Sequence, residues 1–283
     1  MLHYLKILLL LLAFPLSTFA ASFTITPQSP VQGDPLMVIL EDVAIPDIKS
    51  VSFMGKKVVP FLYQGKPTLL IPIDLNQRAG EYPLVVTLTL GQKMTQSVTV
   101  VARQKIVAPL GIPQKLGGNT KQAESNLVTT LSKENAALAK VKITALPWWG
   151  EPFIFPLKNP IVTDEYGYSR KTGSSLIAHK GADFRASIGT PVKAINGGVV
   201  RLAREFIVYG KTVAIDHGGG VTSLSMHLSK LNVKEGQRVK QGDVIGLSGE
   251  SGYALEPHLH LSVRISGISI DPMKFFALFT PKP

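Results

Sequence analysis

Turn-forming residues interrupt this chain every few residues, which favours short strands over long helices. From residue 23 to about 101, short apolar runs such as 36–40 and 85–90 alternate with glycine-containing turns. Many short strands at regular spacing are typical of a small β-sandwich. This region contains no histidine and no recognisable catalytic pattern. We therefore interpret it as a positioning or covering module.

One stretch has the spacing of a helix. Residues 106–118 are rich in Pro and Gly and are predicted to be a linker. Asn119, with Gln122 three residues later, forms a plausible helix cap. Four apolar residues then recur at about helical spacing up to roughly Lys140: Ala123, Leu127, Leu131 and Leu138. We interpret this stripe as a packing surface rather than a ligand-binding feature.

After residue 150, short strand-like runs and glycine turns return without a further helix-length period. The predicted fold class is therefore mainly β, with an N-terminal small β-sandwich, a helical linker and a C-terminal antiparallel β-sheet domain. The predicted boundaries are 1–20 for a signal peptide, 21–105 for the sandwich, 106–150 for the linker with its helix, and 151–283 for the second β domain.

The first 20 residues have the pattern of a secretory signal. A short region with Lys6 precedes an apolar run at 7–14 and small residues before Ala20, so we expect cleavage after Ala20. An uncleaved anchor helix is the alternative, although the run is shorter than the roughly 20 residues that span a bilayer. No later stretch is long and apolar enough to cross a membrane. We expect a periplasmic or secreted mature chain.

The amino-acid composition limits which metal sites and binding partners the chain can have. The chain has no cysteine, which excludes disulfides and thiolate metal sites, so any metal must be bound by His, Asp or Glu. The net charge of +11 favours an acidic polymer as a neighbour. Because this charge is spread along the chain and is not interleaved with aromatic residues, we do not expect nucleic-acid binding.

Five of the six histidines lie between His179 and His260. His258 and His260 precede a predicted strand, on which residues i and i+2 face the same side. His179 and Asp183 flank a glycine at a spacing that lets both approach one ion. Imidazole and carboxylate suit Zn²⁺, and a catalytic zinc site usually has three protein ligands. For either motif alone, a surface ion pair or an incidental His-x-His is the alternative.

A weak internal repeat offers a different interpretation. Residues 189–200 and 236–246 each resemble a strand, a tight turn and a second strand. Such halves also occur in lipoyl- and biotin-carrying domains, which display a modifiable lysine at a hairpin tip. No comparable lysine-centred tip is found here, so we disfavour a carrier module.

Taken together, the motifs resemble the M23 family of zinc metallopeptidases, the lysostaphin-type or LytM-like cell-wall endopeptidases. The resemblance covers residues 152–272 and rests on motifs at 165–170, 179–192, 215–220, 226–229, 236–249 and 257–260. The chain has Ser225 and Met226 where the family often has Tyr-Ala, and Leu255 and Glu256 where it often has Thr-Gly. These departures leave the subsite preference open. His217 matches a family position outside the metal site and is interpreted as structural.

The resemblance implies that His179, Asp183 and His260 bind Zn²⁺, and that His227 and His258 serve catalysis in roles not yet divided between them. It implies an exported, monomeric zinc endopeptidase that hydrolyses the peptide cross-links of bacterial peptidoglycan. The cross-link bond is left open. A non-hydrolytic LytM-like binding or regulatory protein acting on cell-wall hydrolases is the alternative, against which the intact ligand set argues. We also expect the N-terminal region to cover the groove in part.

Overall fold

A computed structural model describes residues 21–280, so the predicted signal peptide at 1–20 lies outside the described residues. The described chain is mainly β and its sheets are almost entirely antiparallel, which confirms the predicted fold class. No helix within residues 21–280 is long and apolar enough to cross a membrane.

Eight strands form the N-terminal sandwich. They are β1 (Ser22–Thr26), β2 (Pro35–Glu41), β3 (Ile48–Phe53), β4 (Lys56–Val58), β5 (Phe61–Tyr63), β6 (Lys66–Pro72), β7 (Gly80–Leu88) and β8 (Lys93–Val100). A 3-10 helix at Ile45–Asp47 precedes β3. The strands form two four-stranded sheets with the orders β1-β2-β6-β5 and β4-β3-β7-β8. Alternating residues of both sheets, including Leu36, Leu69 and Leu84, meet in one buried apolar core.

The connecting segment contains β9 (Val107–Pro109), a 3-10 helix at Gln114–Leu116 and α1 (Lys121–Ala139). The cap of α1 is Thr120, whose hydroxyl oxygen accepts a hydrogen bond from the Ala123 amide at 3.1 Å. The predicted cap at Asn119 is wrong by one residue. The Asn119 side-chain oxygen instead accepts from the Ile112 amide at 2.7 Å, which closes the preceding loop.

The C-terminal half adds thirteen short strands. They are β10 (Val162–Asp164), β11 (Ser169–Thr172), β12 (Ser175–Ala178), β13 (Ala182–Arg185), β14 (Pro191–Lys193), β15 (Gly198–Glu205), β16 (Lys211–Gly218), β17 (Val221–Leu228), β18 (Lys230–Leu231), β19 (Arg238–Val239), β20 (Val244–Leu247), β21 (His258–Ile265) and β22 (Ile268–Ile270). The main sheet has the order β10-β13-β21-β17-β16-β15-β19, with β22 paired to β21. Small sheets β12-β11-β9 and β14-β20-β18 flank it. Since β9 pairs in parallel with β11, the predicted linker contributes a strand.

A second helix, α2 (Pro272–Phe279), follows β22, so the prediction of no further helix after residue 150 is wrong. Asp271 caps it by accepting hydrogen bonds from the amides of Met273 and Lys274, and Pro272 occupies its first position. Eight residues are too few to give a periodic signal. Its buried phenylalanines join the core beneath the main sheet.

The sandwich is packed directly against the main sheet. Tyr63 of the sandwich contacts Trp149, with ring centroids 5.4 Å apart. Arg103 forms ion pairs with Asp34 of the sandwich at 2.9 Å and with Asp271 at 3.2 Å. A shared apolar core and a shared ion-pair network therefore fix the two halves beside each other.

Candidate metal centre

Two neighbouring strands bring the His-Asp-His set together. Asp183 on β13 lies directly opposite His260 on β21 in the antiparallel register. His179 precedes β13 and is separated from Asp183 by Gly181 and two other residues. A Cβ at Gly181 would clash with the imidazole of His260. The glycine between the two motif residues is therefore needed for the close approach of β21.

The three side chains form a compact buried triangle. His179 Nε2 lies 3.1 Å from Asp183 Oδ1 and 3.1 Å from His260 Nδ1, and the last two atoms are 2.6 Å apart. Zinc bonds of 2.0–2.1 Å in a tetrahedron place neighbouring ligand atoms about 3.3 Å apart. Two of the three separations are close to that value and the third is shorter, and two imidazole nitrogens with one carboxylate oxygen are a ligand set that suits zinc.

Surrounding groups orient these ligand atoms. His179 Nδ1 donates a hydrogen bond to the Glu165 carbonyl at 2.7 Å, which leaves its Nε2 lone pair free to bind a metal. Asp183 Oδ2 accepts from the guanidinium of Arg170, so Oδ1 faces the cluster. Burial raises the pKa of Asp183, but the neighbouring His260 and His179 outweigh burial and hold it well below its usual range. The carboxylate is therefore ionised, as a metal ligand must be.

The two histidines predicted to serve catalysis lie beside this cluster. The ring centroids of His227 and His258 are 4.9 Å apart, and His227 lies 6.0 Å from His260. His258 Nε2 is 3.8 Å from Asp183 Oδ1. The fold therefore brings all five predicted site residues into one place.

His227 owes its position to an unusual backbone conformation. Its φ is 60°, in the left-handed region that non-glycine residues rarely adopt, and its amide donates to the Tyr209 carbonyl at 3.1 Å. In a regular strand, Met226 and His227 would point to opposite faces, yet both line the same cavity. The turned backbone therefore directs the imidazole into the groove.

The protonation state of His227 follows from its surroundings. Burial and then the neighbouring His258 and His260 lower the pKa of His227 to about 3. Its Nδ1 donates to the Ser251 carbonyl at 2.8 Å. The ring is thus neutral at ordinary pH and presents Nε2 as a proton acceptor.

The cluster opens into a cavity of about 340 Å³. Leu131 and Asn135 of α1 line it, and Asn76 of the sandwich also contributes. Glu134 holds α1 in place by accepting hydrogen bonds from the amides of 207, 208 and 209 at 2.8–3.0 Å. The helical stripe that we interpreted as packing surface therefore also contributes to the wall of the site through Leu131.

His217 lies apart from the cluster. Its Nδ1 donates to the Gly197 carbonyl and its Nε2 accepts from the Ser223 hydroxyl, both at 2.8 Å. Phe153 packs against the ring with centroids 5.5 Å apart. Burial lowers the pKa of His217 to about 4. These contacts agree with the structural role predicted for this residue.

The sequence around the candidate metal centre is similar to that of known proteins. The profile of peptidase family M23 matches residues 177–272. Peptidoglycan DD-endopeptidase ShyA of Vibrio cholerae is 43% identical over 96 residues, which cover 34% of this chain and 22% of ShyA. DD-carboxypeptidase/endopeptidase Mpg of Neisseria meningitidis is 41% identical over 104 residues, 37% of this chain and 24% of Mpg. The chain thus spans about a quarter of the length of these curated relatives.

One solved structure is similar over most of the chain. A crystal structure of a peptidase M23 from Pseudomonas aeruginosa has a TM-score of 0.61 and 27% identity, and covers 89% of this chain and 96% of that chain. The fold, the buried ligand set and these matches define the class as metallopeptidases. Within that class, residues 177–272 match peptidase family M23.

Proposed function

We propose that this chain is an exported zinc-dependent endopeptidase that hydrolyses the peptide cross-links of bacterial peptidoglycan. The observation that carries the proposal is the buried triangle of His179, Asp183 and His260 with His227 and His258 beside it. The names of ShyA and Mpg support a peptidoglycan substrate. A net charge of +11 favours retention at an acidic wall polymer, and the pattern of residues 1–20 supports export.

The ligand set suits zinc, which in such a site supplies Lewis acidity toward a peptide carbonyl and activates water. The surrounding protein contributes proton transfer. His227 and His258 both donate through Nδ1, to the carbonyls of Ser251 and Glu256, so both offer Nε2 to a reacting group. One imidazole accepts a proton from the attacking water, and the other hydrogen-bonds the developing oxyanion or returns a proton to the leaving amine.

The alternative is a non-hydrolytic binding or regulatory protein with the same fold. The complete set of five site residues favours hydrolysis, because a binding module has no use for a neutral imidazole beside a metal site. Digestion of purified, cross-linked peptidoglycan, with mass analysis of the fragments, tests the proposal and identifies the bond cleaved. We expect dimeric stem peptides to become monomeric ones. Intact dimers after digestion by zinc-loaded protein would favour the regulatory alternative.

A further inference from the structure

The groove floor continues beyond the metal cluster along β21. His258, His260, Ser262 and Arg264 alternate onto one face of this strand. Ser262 is satisfied, because its hydroxyl donates to the Lys180 carbonyl at 2.8 Å. Arg264 lines the same cavity as His260 and lies four residues further along the strand, about 13 Å between Cα atoms. A cationic side chain therefore faces the groove within reach of a peptide bound at the cluster.

Arg264 differs from the other inward arginines in having no acidic partner. Three arginines pair with half-buried or buried aspartates in the described chain: Arg103 with Asp34, Arg170 with Asp183, and Arg201 with Asp216. No carboxylate of residues 21–280 lies within ion-pair distance of Arg264, and its Nε is buried without a hydrogen-bond partner there. Burial lowers the pKa of Arg264, but a guanidinium stays charged at ordinary pH.

A second unpartnered group lies directly beside Arg264. Thr222 on β17 is its cross-strand neighbour, and the Thr222 hydroxyl is also buried without a partner among the described residues. No other buried side-chain nitrogen or oxygen in residues 21–280 lacks a partner. Leaving such groups unpaired destabilises the folded chain. Thr222 does not line the cavity, so of the two only Arg264 is placed to contact a ligand in the groove.

We propose that Arg264, which lines the cavity, binds a carboxylate of the substrate peptide and thereby determines specificity. The inference rests on the proposed function. A guanidinium binds a carboxylate through paired charge-assisted hydrogen bonds. Peptide stems carry free carboxylates that are replaced by neutral carboxamides when amidated. The site therefore distinguishes a carboxylate from a carboxamide.

Binding measurements on the zinc-loaded protein test this directly. The probes are synthetic cross-linked stem peptides in which a ketomethylene group replaces the cross-link amide, each carrying a carboxylate or a carboxamide at one chosen position. For one of these peptide positions, we expect the wild-type protein to bind the carboxylate peptide at least about tenfold more tightly than the carboxamide peptide. Arg264→Gln should lose that preference and keep the carboxamide affinity, whereas Arg264→Lys should retain part of the preference.

Thr222→Val is the matched control because it keeps the shape and removes the hydroxyl. It should leave the carboxylate preference unchanged, because Thr222 does not line the cavity, and it should not lower the melting temperature, since no protein partner is lost. A preference that survives in Arg264→Gln overturns the proposal. An equal loss of carboxylate and carboxamide affinity in Arg264→Gln also overturns it, because that result indicates a packing role. Wild-type protein that shows no preference, or that binds neither peptide, overturns it as well.

Turnover of the cleavable peptides separates this inference from the proposed function. A carboxylate preference in binding without hydrolysis refutes the endopeptidase activity and leaves the Arg264 site standing. Hydrolysis at equal rates and equal affinities for both peptide forms refutes the Arg264 site alone.

Discussion

Each half of the molecule buries an aspartate against an arginine, and the two pairs behave differently. Asp34 of the sandwich pairs with Arg103, yet burial raises its pKa more than the Val31 amide and Arg103 lower it. Asp183 of the M23 domain pairs with Arg170, and there the effect of burial is outweighed by His260 and His179, so its pKa lies well below the usual range. In the same pair of residue types, the pKa of the aspartate is therefore shifted in opposite directions.

The difference lies in what surrounds each carboxylate. Arg103 also pairs with Asp271 at the start of α2, so Asp34 takes part in joining the two halves. Asp183 has one oxygen on Arg170 and the other within hydrogen-bond distance of two imidazoles. A buried aspartate thus stabilises an interface in one half and belongs to the proposed metal centre in the other. Buried ionisable groups with strongly shifted pKa values are typical of functional sites, but only the neighbours distinguish the two cases.

The largest expected effect contrasts these two aspartates. Asp183→Ala should abolish zinc binding and peptidoglycan hydrolysis, because it removes one of three ligands and the only carboxylate of the set. A chelator should abolish activity in the same way. Asp34→Ala, the matched control, should lower the melting temperature but keep about one zinc per chain. Stoichiometric zinc in Asp183→Ala, measured by elemental analysis, would refute the assignment.

The next effect separates two histidines on one strand. His260→Ala should lose both zinc and activity. His258→Ala should keep near-stoichiometric zinc and the fold while losing a factor of about 10² to 10⁴ in rate, the usual contribution of general acid–base catalysis. Zinc content and peptidoglycan turnover are measured together for both variants. If the two variants contain equal amounts of zinc, whether stoichiometric or none, the separate roles proposed for His258 and His260 are contradicted.

A third experiment examines a buried histidine of the M23 domain outside the cluster. His217 has a pKa of about 4 in the folded chain, against about 6.5 when unfolded. Between these values the unfolded state binds more protons, so the free energy of unfolding falls as the pH is lowered, by about 3 kcal/mol in total. Urea unfolding from pH 7 to pH 4 should show a loss in wild type that is larger by this amount than the loss in His217→Gln, because His227 and His260 also have lowered pKa values and contribute equally in both proteins. Identical pH profiles would show that His217 is not held neutral by burial.

The smallest effect concerns the predicted covering role of the N-terminal region. Leu131→Ala on α1 should widen the groove and raise kcat/KM about fivefold, equivalent to about 1 kcal/mol. Leu127→Ala, four residues earlier, is the control: Leu127 packs with Ile112 and Val208 but does not itself line the cavity, so the substitution should lower stability without raising the rate. Point substitutions are sharper than a chain beginning near Trp148, which would remove the sandwich residues that pack on Trp149. Unchanged kcat/KM in Leu131→Ala would refute the covering role.

Much of this architecture could be predicted from local patterns. Alternation on β21 indicates that His258 and His260 face one site, and frequent turns indicate a mainly β chain. The ion pair of Arg170 with Asp183 and the parallel pairing of β9 depend on contacts between distant segments, which no local spacing encodes. Helix α2 was missed because two turns are too short for periodicity to register. The zinc and catalytic roles of the five site residues stay predictions.

The left-handed backbone at His227 lowers stability at a residue that the proposed catalysis requires. Such a conformation costs an L-amino acid roughly 1–2 kcal/mol, a cost that glycine avoids and asparagine reduces. Selection for thermal stability alone would therefore favour replacing His227, whereas selection for hydrolysis would retain it. In a directed-evolution experiment that screens only for heat resistance, this position is where we expect function to be lost first.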